Sequence, residues 1–451
     1  MRMICLVAAP ILTWLAAGLA PGAEPSPSPR PVATWAAGPM EVRAAFDGPV
    51  DPAVATGVVG GSIGFGEGEK AGEAGRPGGD RGSLRIASAR LADGGRTLVL
   101  VTDPHPREAT YTLALPGLKA AGEAGPGRRL DLSYDLAGVE ASWAAEGSRR
   151  PEWSGWWPDF DPATARGLVA GSAEHDRLWP MLARPGRLTL RALFAPPTGE
   201  ATVTIDAGAP FEANLGIETT RSVAAAAGSH RATLKAESTG DAIELSAVLA
   251  TGPAASPRVR VAAGTAKDPA PRALTRSSFV LPWAPPSPPT ASTPATPAAL
   301  ISGGDPARGE VVFHGEQAKC ATCHMVRGKG GAIGPDLTSL AGRDRAWVYQ
   351  NIVEPSASIH PNYVSYTVAL KDGRVAMGVV RAEGADALKV GDIDAKQTVI
   401  PRSDVEELRP SASSIMPVGL LAAIGEERTR DLLAFLTAPA NPPAPAAAPA
   451  R

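Results

Sequence analysis

The chain has 451 residues, enough for two to four domains that each bury a core. Its 44 basic side chains nearly balance 46 acidic ones, which sets aside nucleic acid and an anionic membrane as main partners. The 49 glycines and 45 prolines favour short strands, turns and linkers over a helical bundle.

Residues 1–23 carry one early charge, Arg2, then an apolar run from Ile4 to Leu19 that ends in small residues around Ala20 and Ala23. This pattern predicts a cleaved secretory signal peptide; a retained anchor is the alternative, although the run is short of the ~20 residues a spanning helix needs. Cys5 would leave with the signal, and Cys320 and Cys323 would remain. No further membrane span is expected.

From 32 to 140, apolar and polar positions alternate in short runs such as Met40–Phe46, Thr97–Val101 and Thr110–Leu115, which predicts strands with one buried face. The stretch from Gly60 to Gly82, rich in Gly, Glu and Arg, reads as a long mobile loop. The order of these runs, with Phe46-Asp47-Gly48-Pro49-Val50-Asp51-Pro52-Ala53 after the first strand, resembles bacterial Ig-like sandwich modules.

Residues 141–284 also read mostly as strands, for example Arg187–Phe194, Ala201–Ile205 and Ala242–Val248, and predict a second β-rich domain. Trp143, Trp153, Trp156 and Trp157, with Phe160 and Trp179, form an aromatic cluster. Its two readings are a stacking platform for a glycan and ordinary core packing. Nearby Asp159, Asp161, Glu174 and His175 match no ligand spacing and are expected to be solvated. Residues 285–304 read as a Pro/Ser/Thr-rich linker and 439–451 as a disordered tail of similar composition.

Cys320-Ala321-Thr322-Cys323-His324 is the most informative feature of the chain. In a CxxCH segment the two thiols hold a haem through thioethers and the adjacent imidazole ligates iron. A zinc site would need two more Cys or His at matched spacing, and a redox dithiol has no use for the histidine. One such motif predicts one covalent haem c.

Asp305-Pro306 opens a helix expected to run to about Ala318, with Gly309 and Phe313 on one face. A last helix begun near Glu426 presents Leu432, Phe435 and Leu436 together. These two helices around CxxCH resemble class I cytochrome c. Gly334-Pro335-Asp336-Leu337 is similar to that family's Gly-Pro-x-Leu segment, and the resemblance implies that the Pro335 carbonyl accepts the Nδ1 hydrogen of His324. The resemblance also implies Met416 as the sixth iron ligand, since it precedes Pro417 just ahead of the last helix, where that family carries its Met-Pro ligand loop; His360 and His314 stand as bis-imidazole alternatives. Met325 adjoins His324 and cannot reach the opposite haem face, and Met377 reads as a strand residue packed in a core.

After a helix through Trp347 and Val353, residues 363–408 predict a β insert with four strands and a hairpin turn at Lys371-Asp372-Gly373-Arg374. Together with Ile352–Ser356 and Ser414–Leu421, this order resembles the long-insert haem-binding domain of large secreted proteins of planctomycete-type bacteria, spanning 305–438. The fold class expected is therefore multidomain: all-β sandwich modules, then an α-helical cytochrome c domain carrying a small β insert. Cys320 and Cys323 would bind haem covalently, with His324 and Met416 on the iron.

The resemblance implies a periplasmic or secreted electron carrier between a dehydrogenase donor and an oxidase or cytochrome acceptor. It implies no catalytic residue. Lys319, Arg327, Lys329, Arg343 and Arg345 read either as a steering patch for an acidic partner or as ordinary surface. The rival functions are a glycan- or partner-binding sandwich with the cytochrome as auxiliary acceptor, and a haem peroxidase.

Overall fold

The computed structural model describes residues 28–66, 82–196, 198–225, 228–253, 256–265, 271–284 and 298–439. The predicted signal segment, most of the predicted linker and nearly all of the predicted tail lie outside these residues.

The first β unit is a run of seven antiparallel strands in the order Pro31–Gly38, Glu41–Phe46, Thr97–Thr102, Gly82–Ala92, Ser62–Phe65, Tyr111–Leu118 and Arg128–Tyr134. One strand serves both halves. Residues 82–85 pair with Ser62–Phe65, and from Ile86 onward, through a register break between Ile86 and Ser88, the strand pairs with Thr97–Thr102. Such a bulge bends and twists the strand, so the two halves close around one core that includes Trp35, Phe46, Ile63, Leu98, Leu113 and Leu132. A helix at Pro52–Val58, capped by Asp51 and started by proline, covers one end. Ser62–Phe65 corrects the expectation of a loop from Gly60 to Gly82: Ile63 and Phe65 alternate with small residues and are buried, which is enough to seat a strand. Residues 67–81 are outside the described part.

The second β unit packs a six-stranded sheet, centred on Gly186–Phe194 and Ile243–Thr251, against a five-stranded sheet centred on Gly199–Gly208. Their inward positions, among them Leu188, Leu190, Val203, Ile205 and Leu234, form the second core.

The aromatic cluster belongs to these interiors. Trp143, Trp153, Trp156 and Trp157 are all buried. Trp143 donates to Thr251 Oγ1 at 2.9 Å, Trp153 to the Glu174 carbonyl at 3.1 Å and Trp156 to the Ala137 carbonyl at 3.0 Å. A sugar-stacking platform needs an exposed ring face, so of the two readings of these residues their burial supports core packing.

Glu174 and His175 are likewise buried rather than solvated. Arg43 of the first unit reaches Glu174 at 2.7 Å, and Trp35 stacks on Trp156 with ring centroids 5.6 Å apart, so both groups seal the seam between the two β units. His175 accepts from Ser172 Oγ at Nδ1 and donates from Nε2 to the Trp156 carbonyl, each at 2.8 Å. Asp161 caps the Pro162–Leu168 helix.

The C-terminal unit mixes helix and sheet. Its helices are Ala298–Ile301, Pro306–His314, Cys320–Cys323, Arg345–Val353, Leu420–Ile424 and Glu426–Thr437. Between Val353 and Leu420 lies an antiparallel sheet in the order Gln397–Pro401, Ala387–Gly391, Val375–Glu383, Ser365–Leu370, Val405–Pro410. Five strands make this a full layer, which corrects the expectation of a plainly α-helical unit with a small β insert. The hairpin turn places Gly373 at φ +86°, where glycine carries no steric cost. Ala298–Ile301 is helical and Ile301 packs on the helical core, so the end of the expected linker is folded.

Candidate functional site: the CxxCH turn and its surroundings

The site is built on two crossing helices. Asp305 opens the first by accepting from the backbone N–H groups of Ala307 and Arg308, with proline at the next position. This helix ends at His314, four residues before the expected end, and Gly315 follows in extended backbone. A Cβ on Gly309 would lie 2.0 Å from the Asp431 carbonyl oxygen and 2.7 Å from Phe435 Cβ, so only glycine permits the crossing. Phe313 and Phe435 meet one turn on, with centroids 5.6 Å apart.

Asp431 locks the crossing. It is buried and accepts from the Asp305 backbone N–H at 2.7 Å and from Arg308 Nε and Nη2 at 2.7 and 2.9 Å. The hydrogen bonds from Arg308 are the main reason its carboxyl sits below the ordinary range. The sequence reading missed this Arg308–Asp431 pair.

From this base the chain turns through Lys319, at φ +50°, into the single helical turn Cys320–Cys323 and leaves at His324 in extended backbone. Burial pushes the Cys320 thiol up to about 11 and raises Cys323 as well, so neither resembles an activated redox thiol. Among the described residues no three His, Cys, Asp or Glu side chains cluster as metal ligands, and the zinc reading finds no further donors.

A glycine-rich loop folds back over the motif. Gly331 N–H donates to the Ala321 carbonyl at 2.8 Å, and the N–H groups of Ile333 and Gly334 both donate to the Cys323 carbonyl, at 3.1 and 2.9 Å. A Cβ on Gly331 would meet the Thr322 carbonyl at 2.0 Å, and one on Gly334 would lie 2.6 Å from the His324 ring. The imidazole thus rests against bare backbone. Gly330 and Gly331 escaped the sequence reading, although the Gly-Gly pair six and seven residues after His324 was the available signal.

His324 Nδ1 lies 3.0 Å from the Pro335 carbonyl oxygen. A carbonyl only accepts, so Nδ1 carries the hydrogen and Nε2 keeps its lone pair, the tautomer a metal-binding imidazole needs. Burial lowers the pKa of His324, with the Pro335 hydrogen bond opposing it. The motif, the tautomer and the close glycine backing fit covalent haem with an imidazole ligand.

Met416 is half-buried in a loop with several tethers. Its N–H donates to Ser414 Oγ, the Ser414 N–H donates to Ser356 Oγ, and Ser365 Oγ donates to the Ser413 carbonyl. Met377 is 58 % exposed on the insert sheet, so the expectation of core packing there is corrected. His314 is exposed at the end of the first helix, its ring edge on Phe313. His360 is exposed, and its Nδ1 accepts from the Asn362 N–H at 3.2 Å. Its pKa is lowered, first by partial desolvation and then by the charges of Arg381 of the insert and Arg107 of the first β unit.

Three of the five basic side chains around the motif are committed to packing. Arg327 donates to the Ala438 carbonyl, Arg345 to Thr437 Oγ1 and the Gly303 carbonyl, and Arg343 lies over the Trp347 ring. The first two complement the carbonyl end of the last helix. Lys319 and Lys329 are exposed.

A single-turn dithiol, a histidine with its Nδ1 on a proline carbonyl and a glycine-gated helix crossing are the features a c-type haem site requires. The cytochrome c family model matches residues 306–390 and ends within the insert, short of Met416. The chain therefore carries a cytochrome c domain, with the covalently bound haem c and electron transfer that this domain implies. No curated protein matches the chain. Among solved structures, an anti-sigma factor domain-containing protein from Clostridium clariflavum is 9 % identical, covering 53 % of this chain and 84 % of its own, at a TM-score of 0.23. The surface layer protein SbsC, domains 1–6, is 14 % identical over 56 % of this chain, which spans 26 % of that structure, at a TM-score of 0.20. At such scores neither likeness bears on fold or function. Among the described residues no helix is long and apolar enough to cross a membrane.

Proposed function

We propose that the protein is an exported, mono-haem c-type cytochrome that passes single electrons from a dehydrogenase to a downstream oxidase or cytochrome in the periplasm. Cys320 and Cys323 would hold the haem, and His324 and Met416 would ligate its iron. The β units are read as Ig-like sandwiches, and the C-terminal unit as the long-insert haem-binding domain of planctomycete-type secreted proteins. The observation that carries this reading is the His324–Pro335 hydrogen bond, which presents a neutral Nε2 beside the dithiol turn.

Haem bound here supplies a one-electron couple; the chain's own groups decide what else can happen. The Pro335 carbonyl fixes the imidazole's orientation and raises its basicity. A Met416 thioether on the iron would favour the ferrous state and leave small molecules no free position, so carriage of electrons would prevail over peroxide chemistry. The test is the absorption spectrum of the chain matured with haem-attachment machinery. A weak oxidised band at the red edge of the visible is expected, lost in Met416→Ala and kept in Met377→Ala. A bis-imidazole spectrum that survives Met416→Ala defeats the ligand assignment, and a colourless matured protein defeats the whole reading.

A further inference from the structure

A single five-stranded sheet with an apolar face is unstable until something covers that face. Here the cover comes from another part of the chain. Met40 of the first β unit is buried in one cluster with Tyr366, Val368, Val380 and Leu388 of the insert, and Ala87 and Val101 of the first unit pack on the same cluster. Polar groups close the rim. Tyr366 Oη donates to the His105 carbonyl at 2.9 Å, and the Ala382 N–H donates to Asp103 Oδ1 at 2.8 Å. Arg85 bonds the Ala382 carbonyl, and the Ser83 N–H donates to Asn362 Oδ1 at 3.3 Å. Asp103 also lies 3.5 Å from Arg85 and 4.0 Å from Arg381, so one carboxylate receives groups from both units.

We infer that the insert is a docking module whose partner is the outer face of the first β unit, so that the CxxCH unit is a fixed head on that unit. The insert also touches the site. Gly391 backs directly onto Ile333, whose N–H holds the Cys323 carbonyl. The seat on the sandwich is thereby continuous with the loop that backs His324, and a redox partner has to approach a surface whose orientation the sandwich sets. This docking is independent of what ligates the iron.

The experiment places a protease recognition sequence between Ala284 and Ala298 of the full chain. After cleavage the two fragments are expected to co-elute on gel filtration under native conditions. Asp103→Ala is expected to raise their dissociation constant severalfold, and Met40→Asp at least tenfold, with the circular dichroism of the β units unchanged. Fragments that separate in the unsubstituted protein overturn the inference. If Met40→Asp disturbs the β units themselves, Asp103→Ala decides alone, and association unaltered by it overturns the Asp103 joint. The spectrum of the haem fragment is read in parallel, so loss of docking and loss of haem ligation are distinguishable.

Discussion

Gly309→Ala sets two effects of opposite sign against each other. In an isolated helix alanine is better than glycine by about 1 kcal/mol, because it loses less backbone entropy. In this helix the new methyl would stand 2.0 Å from the Asp431 carbonyl oxygen, where ordinary contact is 3.4–4 Å, so the two helices have to separate by more than an ångström at their crossing. Overpacking of this kind costs about 1–3 kcal/mol. The separation also stretches the hydrogen bonds from Asp305 and Arg308 to the buried Asp431, and bonds to a charged acceptor contribute roughly 1.5–3 kcal/mol each. With only part of that lost, the net destabilisation of the C-terminal unit is about 2–4 kcal/mol. Urea unfolding followed by haem absorbance and far-ultraviolet circular dichroism measures it as a fall in midpoint at constant slope. A variant as stable as the original, or more stable by the helix-propensity increment, would show that the helices do not cross at Gly309.

Gly334→Ala puts a carbon 2.6 Å from the His324 ring and is expected to tilt the imidazole off the Pro335 carbonyl, weakening axial ligation roughly tenfold or more; an unchanged spectrum and potential would refute the backing role. His105 is fully buried between the Pro39 carbonyl and Tyr134, and burial depresses its pKa from 6.5 to about 4. Between those values the unfolded chain binds a proton that the folded chain refuses, so stability is full above pH 6.5 and falls by about 3 kcal/mol as the pH drops to 4. Urea midpoints measured from pH 7.5 to 4 check this, and a flat profile sinks it. Asp431→Asn removes the charge on which Arg308 closes and is expected to cost about 1–3 kcal/mol in the C-terminal unit, read as a lower thermal midpoint; an unaltered midpoint would make the pair ornamental.

What the sequence made legible was local. Asp305 caps and Pro306 starts a helix within a few residues of the backbone they serve, and the CxxCH turn needs no distant partner. The strands of the insert showed their alternation, except Val405–Pro410, whose outward Glu406, Glu407 and Arg409 belong to an edge strand and hide the pattern. Burial of long-range partners was illegible. Tryptophan suits both a core and a binding face, and only the position of Trp35 on another strand decides for Trp156. Glu174 reads as a surface acid until Arg43 arrives from the first unit. Met377 has a core residue's chemistry, yet it faces outward, because strand alternation does not say which side of a lone sheet is covered.

The strand Gly82–Ala92 is common property of both halves of the first β unit. Neither half can melt while the other stands, since each would have to surrender half of the same backbone. Amide hydrogens on Ser62–Phe65 and on Thr97–Thr102 should therefore trade with solvent deuterium through one shared opening event. A nick inside that strand would dismantle the unit as a whole and, with it, the floor on which the insert rests.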